Sequence, residues 1–166
     1  MHTHSGTTRT YSEIIGELET LWGDEREFFT RAANTAALLF WSLPAVNWVG
    51  FYLRDGVELL LGPFQGHPAC QRIPIGRGVC GQAAYQGRTL IVPDVGAFPD
   101  YIVCDAETRS ELVVPLHVNG CLYGVLDLDS PLLGRFTAND AVALGHIVTR
   151  LLAGSDMERL HRYYRL

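Results

Sequence analysis

Two stretches near the start of the chain carry apolar residues at helical spacing. The apolar positions of the first stretch are Tyr11, Ile14, Ile15, Leu18, Leu21 and Trp22, and those of the second are Phe28, Phe29, Ala32, Ala36 and Leu39. Thr10 and Glu13 form a capping box before the first stretch, in which side chains satisfy backbone amides of the first turn. Asp24 and Glu27 can start the second helix, and Leu43 ends it because the residue before Pro44 is pushed out of the helical region. Both stretches therefore predict helices that pack into a core.

Residues 47–129 show a different pattern, in which short apolar segments end at turn residues. This pattern predicts strands at Asn47–Leu53, Val57–Gly62, Thr89–Val92, Leu112–Val118 and Cys121–Asp129, with a short helix at Gly81–Tyr85. The dipeptides Asp55-Gly56 and Asn119-Gly120 are typical turns of β-hairpins. Thr137 and Asp140 cap a last helix that ends at Gly154.

The order of these elements predicts an α+β fold, with a central antiparallel sheet and helices on one face. Irregular loops at residues 63–80 and 93–110 would cover the other face, which makes a natural pocket for a small molecule. No repeat or linker divides the sequence, so residues 1–166 are predicted to form a single domain. Within it, residues 1–10 and 155–166 are expected to be peripheral or flexible.

Composition narrows the class of function. The chain has 166 residues, 48% of them hydrophobic, and a formal net charge of −5. An acidic chain is poorly suited to nucleic acid, which needs a basic face. The first ten residues lack the apolar core of a secretory signal, and no apolar run reaches the roughly 18 residues of a membrane span. A cytoplasmic protein is predicted, so the four cysteines are core residues, metal ligands or working thiols.

The segment Gly76–Gly81 matches G-x-G-x-x-G, the fingerprint of dinucleotide-binding folds. That fingerprint requires a buried strand before it and a long crossover helix after it. Here Pro74 interrupts the preceding strand, and the helix is over by Gly87. The pattern therefore argues against a nucleotide site.

The cysteines favour thiol chemistry over a metal site. Cys70, Cys80 and Cys104 are separated by 10 and 24 positions, without the close pairs of structural zinc sites, so no metal is predicted. All three fall in glycine-rich or polar segments from which side chains can reach a pocket. Cys80 also starts a short helix, whose positive end favours a thiolate. Cys121 lies beside a turn and needs no role beyond packing.

Two pairs of residues add candidates for a pocket. Asp127 and Asp129 are two apart on a strand and point to one face, which Tyr123 should share. Trp48 and Tyr52 likewise share a face of the first strand.

Four segments together resemble the free methionine-(R)-sulfoxide reductases, which are single GAF domains that became enzymes. The segments are GPFQG (Gly62–Gly66), IPIGRGVCGQAA (Ile73–Ala84), VCDAETRSELVVPL (Val103–Leu116) and GVLDLDS (Gly124–Ser130). The resemblance extends from about Tyr11 to Leu152. It implies a GAF-like domain with a six-stranded antiparallel sheet, helices on one face and ligand-covering loops on the other.

The resemblance also implies roles for individual residues. Cys104 matches the nucleophile of the family, Cys70 its main recycling thiol and Cys80 its third, ancillary cysteine. Five further residues match its substrate pocket, and they are Trp48, Tyr52, Glu111, Asp127 and Asp129. Asp127 is the predicted catalytic acid. Cys121 matches none of the functional cysteines.

The implied reaction converts free methionine-(R)-sulfoxide to methionine and leaves a sulfenic acid on Cys104, which condenses with Cys70 to a disulfide. Thioredoxin would reopen this disulfide, no cofactor is required, and the family suggests a homodimer. The alternative is a non-catalytic GAF module that binds a small ligand or senses oxidants.

The expected position of Glu111 conflicts with this scheme. A regular hairpin would pair Leu112 with Asp127 and place Glu111 on the face opposite the aspartates, unless a bulge near Pro115 shifts the register.

Overall fold

A computed structural model describes residues 9–163 of the protein. Its helices are α1 (Tyr11–Trp22), α2 (Phe28–Ser42), α3 (Gly78–Gln86), α4 (Ala138–Ala153) and α5 (Met157–His161). Its strands are β1 (Trp48–Asp55), β2 (Glu58–Gly66), β3 (Arg72–Pro74), β4 (Leu90–Val92), β5 (Ser110–Val118) and β6 (Cys121–Ser130). In this range no helix combines the length and apolar character needed to cross a membrane.

Local signals determine where the helices begin and end. Both predicted capping boxes are present, Thr10 with Glu13 at α1 and Thr137 with Asp140 at α4. The second helix, α2, ends at Leu43, the residue before proline, as expected. These boundaries depend on neighbours three or four residues away, which is why the sequence alone predicts them.

The six strands form one antiparallel sheet in the order β3-β2-β1-β6-β5-β4, which confirms the predicted fold class. Val118 pairs with Cys121, so the predicted turn at Asn119-Gly120 is correct. In the first hairpin Asp55 pairs with Glu58, so the turn lies one residue later than predicted, with Gly56 at a φ of 66°. Positive φ suits glycine in this type of turn.

The two faces of the sheet are packed differently. One face packs against α1, α2, α4 and α5 and forms a large apolar core, in which Phe28, Phe51 and Leu128 are fully buried. The opposite face packs against α3 and the loops, with Tyr52 and Val113 buried beneath them. The short helix α3 thus joins the covering loops, whereas the sequence pattern predicted helices on a single face.

The ends of the chain differ from each other. Arg9 and Thr10 are exposed, and residues 1–8 and 164–166 lie outside the described residues. Beyond Gly154 the chain forms α5, which was not predicted, and buries Met157 and Leu160 in the helix-side core. Five residues give too short a periodic pattern to identify such a helix from sequence.

Candidate active site

The floor of the candidate site is formed by three central strands. Asp129 on β6 lies between Trp48 of β1 and Glu111 of β5, its partners in the two neighbouring strands. Asp127 lies two residues earlier on β6, and Tyr52 four residues after Trp48 on β1. Because side chains alternate along a strand, all five project to the cavity face. The structure therefore brings together every floor residue that the sequence analysis named.

Glu111 joins this face because the β5–β6 hairpin contains a bulge. Asp127 pairs with Val113 and not with Leu112, so the regular register was the wrong expectation. The register shifts between Leu116 and His117, one residue beyond the proline suspected of marking a bulge, and Tyr123 is the extra residue on β6. Tyr123 consequently packs on the helix side, contrary to the prediction that it shares a face with the aspartates.

Aromatic rings form one wall of the cavity. The Trp48 ring stacks on Tyr52 and on Phe64, with centroid distances of 5.9 and 5.4 Å. Gly50 makes room for this stack, since a Cβ there would lie 2.3 Å from the Trp48 ring. The sequence pattern did not identify Phe64, because a bulge on β2 near Gly50 changes the face of the sheet on which the Phe64 side chain lies. It also missed Tyr101, which lines the cavity from an irregular loop.

Two loops cover the floor, and a disulfide between Cys70 and Cys104 joins them. The Cα atoms of the two cysteines are 5.2 Å apart. The Trp48 indole N–H donates to the carbonyl of His67 at 3.0 Å, and the Tyr52 hydroxyl donates to the carbonyl of Cys70 at 2.9 Å. The aromatic wall therefore holds the loop that carries Cys70. Cys104 lines the partly open cavity between the floor and these loops.

The other two cysteines are free thiols in different surroundings. Cys80 is buried in the first turn of α3, and its Sγ donates to Oε1 of Glu111 over 3.7 Å. Burial, followed by the charges of Asp127 and Glu111, raises the pKa of the Cys80 thiol well above its ordinary value. The expected thiolate at Cys80 is thus wrong, because desolvation and nearby acids outweigh the helix end. Cys121 is half-buried beside its turn, outside the cavity lining.

The carboxyl groups of the floor are buried close together. Burial raises the pKa of Glu111 well above its ordinary value, and the charges of Asp127 and Asp129 raise it further. Burial also raises the pKa of Asp127 to about 7, although hydrogen bonds from Cys80 and Glu111 oppose the shift. Burial and then the charge of Asp127 raise the pKa of Asp129. Such a cluster retains protons near neutral pH, which suits acid catalysis.

Two carboxylate oxygens of this cluster lack hydrogen-bond partners. Oδ1 of Asp127 and Oδ1 of Asp129 are both buried and unpaired. Unsatisfied buried acceptors are costly, so these atoms indicate a ligand that brings donors, such as an ammonium group. Within residues 9–163, ligand atoms of Cys80, Glu111 and Asp127 also lie within 4.8 Å of one another, close enough to share a cation. The expectation that no metal is needed stays a prediction.

The glycine motif contributes to the cavity without forming a dinucleotide fold. The preceding strand, β3, is antiparallel to β2, which is its one partner among residues 9–163, so this part of the chain forms no parallel crossover unit there. Gly78 and Val79 at the start of α3 line the cavity instead. The backbone amides of a first helical turn have no partners within the helix and can bind an anion.

Comparison with known proteins agrees with this geometry. The GAF domain family matches residues 25–154. The chain is 43% identical over 155 residues to the free methionine-R-sulfoxide reductase of Escherichia coli, covering 92% of this chain and 94% of the relative. It is 50% identical over 135 residues to protein YtsP of Bacillus subtilis, covering 80% and 82% of the two chains.

A solved structure extends the similarity to three dimensions. It is the free methionine-R-sulfoxide reductase of Neisseria meningitidis in complex with its substrate. The TM-score is 0.87 and the identity 44%, and the superposition covers 96% of this chain and 98% of the other. On these grounds the chain belongs to the free methionine-R-sulfoxide reductase family of GAF-domain proteins.

Proposed function

We propose that the protein reduces free methionine-(R)-sulfoxide to methionine through thiol chemistry in this cavity. The observation that carries the proposal is the Cys70–Cys104 disulfide above a floor that holds three acidic side chains. A disulfide between the covering loops is what the reaction would leave behind. Membership in the family supports the same substrate.

Cys104 is the proposed nucleophile because it lines the cavity, whereas Cys70 does not. Its thiolate attacks the sulfoxide sulfur while an acid protonates the sulfoxide oxygen. The oxygen passes to Cys104, methionine leaves, and Cys104 becomes a sulfenic acid. Asp127 is the proposed acid, since a pKa of about 7 keeps it partly protonated at neutral pH. The Cys70 thiol then condenses with the sulfenic acid, which releases water and forms the disulfide.

The acids also explain why a free amino acid would be the substrate. The unpaired Oδ1 of Asp129 can accept a hydrogen bond from the α-ammonium group, with Glu111 beside it. In a polypeptide that nitrogen is a neutral amide, and the buried acids would lose their charged partner. Amides at the start of α3 would bind the substrate carboxylate, and the rings of Trp48 and Tyr52 would contact the thioether chain.

The cysteine pair also requires a reductant. A thioredoxin-type dithiol would reopen the disulfide by exchange, so no bound cofactor is needed. A cytoplasmic location would supply such a reductant. The homodimer remains a proposal that rests on the family resemblance alone.

The test is a turnover assay with a small dithiol as reductant and three substrates at equal concentration. These are the free R sulfoxide, the free S sulfoxide, and the R sulfoxide with acetylated nitrogen and amidated carboxyl group. We expect turnover of the free R compound only, because a fixed nucleophile and a fixed acid cannot both reach the S epimer. Comparable rates on the blocked compound would contradict the roles of the acids. Binding of the free R compound without turnover would favour a ligand-binding or sensing module.

A further inference from the structure

Three buried side chains at the floor of the cavity carry donor atoms that can bind a metal ion. They are the thiol of Cys80 on α3, the carboxyl group of Glu111 on β5 and the carboxyl group of Asp127 on β6. One ligand atom of each lies within 4.8 Å of the other two, and each residue is only 3–5% exposed. Because three separate elements supply these atoms, they form no short metal motif in the sequence.

The spacing of two of these atoms already suits a tetrahedral metal ion. Sγ of Cys80 lies 3.7 Å from Oε1 of Glu111. Zinc binds sulfur at about 2.3 Å and oxygen at about 2.0–2.2 Å, so a tetrahedral zinc site places these two ligands about 3.5–3.7 Å apart. Cys80 and Glu111 can therefore bind one ion at their present separation, and Asp127 supplies the third ligand from the neighbouring strand.

The charge of the cavity favours a positively charged occupant. Four acidic side chains line it, and the other described residues of the lining include no arginine, lysine or histidine. Asp127 is 95% buried, and its Oδ1 has no hydrogen-bond partner. Buried carboxylates are normally paired with a cation or bound to a metal. This unpaired oxygen, which is separate from the contact between Cys80 and Glu111, therefore also indicates a cation.

The combination of one sulfur and two oxygen donors selects the kind of ion. Mg²⁺ and Ca²⁺ take oxygen ligands and would leave the thiol unused. Copper(I) prefers sulfur ligands and would leave the carboxylates unused. Zn²⁺ binds cysteine and carboxylate together, and three protein ligands with a water molecule in the fourth position are an established arrangement for it. The ion can enter because the cavity is partly open.

We propose that Cys80, Glu111 and Asp127 bind Zn²⁺ in the cavity and that the bound ion inhibits the protein. Zinc binds the thiolate of Cys80, whose proton passes to water, and one carboxylate oxygen from each acid. A water molecule completes the site. No group is oxidised or reduced, so the site forms while the disulfide between Cys70 and Cys104 is intact.

The inhibition rests on the proposed function. Asp127 is the proposed acid, and a carboxylate bound to zinc has no proton to give to the sulfoxide oxygen. The positive ion beside Glu111 also repels the α-ammonium group of the substrate. Zinc therefore opposes both the binding of the substrate and the proton transfer.

The first experiment adds Co²⁺, a spectroscopic substitute for zinc, to the oxidised protein. A bond between cobalt and a thiolate gives charge-transfer absorption in the near ultraviolet. Cys70 and Cys104 are joined in this form, so Cys80 and Cys121 are the free thiols. We expect the absorption to appear with Co²⁺ and to disappear when Zn²⁺ displaces it. Absence of the thiolate band in the wild-type protein overturns the site.

Two serine variants identify the thiol that binds the metal. Cys80→Ser should abolish the cobalt–thiolate absorption and weaken Zn²⁺ binding at least about tenfold, measured by competition with a coloured chelator. Cys121→Ser is the matched control, because Cys121 lies outside the cavity lining, and it should retain both signals. A band that persists in Cys80→Ser overturns the assignment.

A third variant keeps the test decisive even where Cys80→Ser does not fold. Glu111→Gln preserves the size of the side chain and every cysteine, but it removes one charged ligand. We expect the affinity for Zn²⁺ to fall at least about tenfold. Unchanged affinity in Glu111→Gln overturns the proposed ligand set.

The second experiment measures methionine release in a single turnover of the reduced protein. Free dithiol is removed first, because it binds zinc itself. Zn²⁺ should inhibit the wild-type protein, and Mg²⁺ at the same concentration should not. For Cys80→Ser, compared with its own rate without zinc, half-inhibition should need at least about tenfold more zinc. Equal sensitivity of the two proteins would mean that zinc acts through Cys70 and Cys104, and it would overturn the inhibitory role of the site.

The two experiments separate this inference from the proposed function. If the wild-type protein releases no methionine in the absence of zinc, the proposed function is wrong, and the cobalt experiment still tests the metal site. If methionine release is normal but Co²⁺ does not bind Cys80, only the present inference is wrong.

Discussion

Two buried aspartates on opposite sides of the sheet differ in what surrounds them. Asp140, at the start of α4, accepts hydrogen bonds from the Tyr11 hydroxyl at 2.6 Å and from Thr137, and Arg135 lies 3.4 Å away. Burial raises its pKa, but these contacts outweigh burial, and the pKa is lowered overall. Asp127, under the covering loops, has an unpaired Oδ1 and acidic neighbours, and its pKa rises to about 7.

This difference shows how the protein separates stability from chemistry. On the helix side the buried charge of Asp140 has partners that stabilise its ionised form. On the cavity side the unpaired oxygen of Asp127 is available to a ligand. Leaving it unpaired lowers the stability of the folded protein, but it prepares a binding site. Replacing an acid on the cavity side should therefore lower activity and raise stability, whereas replacing a helix-side residue should affect stability alone.

The largest predicted effect comes from replacing a thiol that lines the cavity and one that does not. Cys104→Ser should lower turnover of free methionine-(R)-sulfoxide by at least about a hundredfold, because a serine hydroxyl is a poor nucleophile and is not ionised at neutral pH. Cys121→Ser is the matched control and should retain wild-type turnover, since Cys121 lies outside the cavity lining. The measurement is methionine release with dithiothreitol as reductant. Substantial activity in Cys104→Ser would show that the nucleophile is another residue.

A second prediction concerns the pH dependence of stability. The pKa of Asp127 is about 7 in the folded protein, against an ordinary value of 3.8. Its protonated form therefore contributes stability that is complete below about pH 3.8 and is lost as the pH rises through about 7. In Asp127→Asn the side chain stays neutral, so the free energy of unfolding should fall less between pH 4 and pH 8 than in the wild type.

Urea unfolding at several pH values, with the disulfide kept in one redox state, measures this difference. The variant should gain stability relative to the wild type as the pH rises, because burial no longer opposes a charge at this position. Parallel stability curves for the two proteins would mean that Asp127 is ionised throughout and is not the catalytic acid.

The smallest predicted effect lies on the helix side. Tyr11→Phe removes the hydroxyl that donates to Asp140, and we expect the free energy of unfolding to decrease by about 1 kcal/mol. Turnover of the sulfoxide should not change, since neither residue lines the cavity. Thermal or urea unfolding measures the first effect and the methionine assay the second. A loss of turnover would show that the two sides of the sheet are coupled.

The same contrast explains which features the sequence could predict. Helix starts at Thr10 and Thr137 depend on contacts within one turn, and both predictions are confirmed. The strands and the antiparallel sheet follow from alternation and turn residues, which are also local. The family resemblance added Glu111 and the individual roles of the cysteines and acids, and the structure brings Cys104, Glu111, Asp127 and Asp129 to one cavity.

What the sequence could not predict depends on register and on distant neighbours. Bulges change the face of the sheet on which the side chains of Glu111 and Phe64 lie. Whether a bulge forms depends on how two strands pair, which the sequence of one strand does not show. The high pKa of Cys80 arises first from burial and then from the charges of Asp127 and Glu111, which are 47 and 31 residues away in the chain. The position of Cys80 at the positive end of a helix gave the opposite expectation, because that argument ignores burial.

The bulge at Tyr123 determines which side chains of β6 face the cavity, because side chains alternate between the two faces of a strand and one extra residue reverses the alternation. Counting back from the Asn119-Gly120 turn, Glu111 and Asp127 would face opposite sides in a hairpin without an extra residue. Gly124 permits the bulge, because a Cβ there would lie 2.1 Å from the carbonyl oxygen of Tyr52. Deleting one residue at position 123 would therefore be far more damaging than replacing it, since it would reverse the parity of the strand and separate the acids without altering any of them.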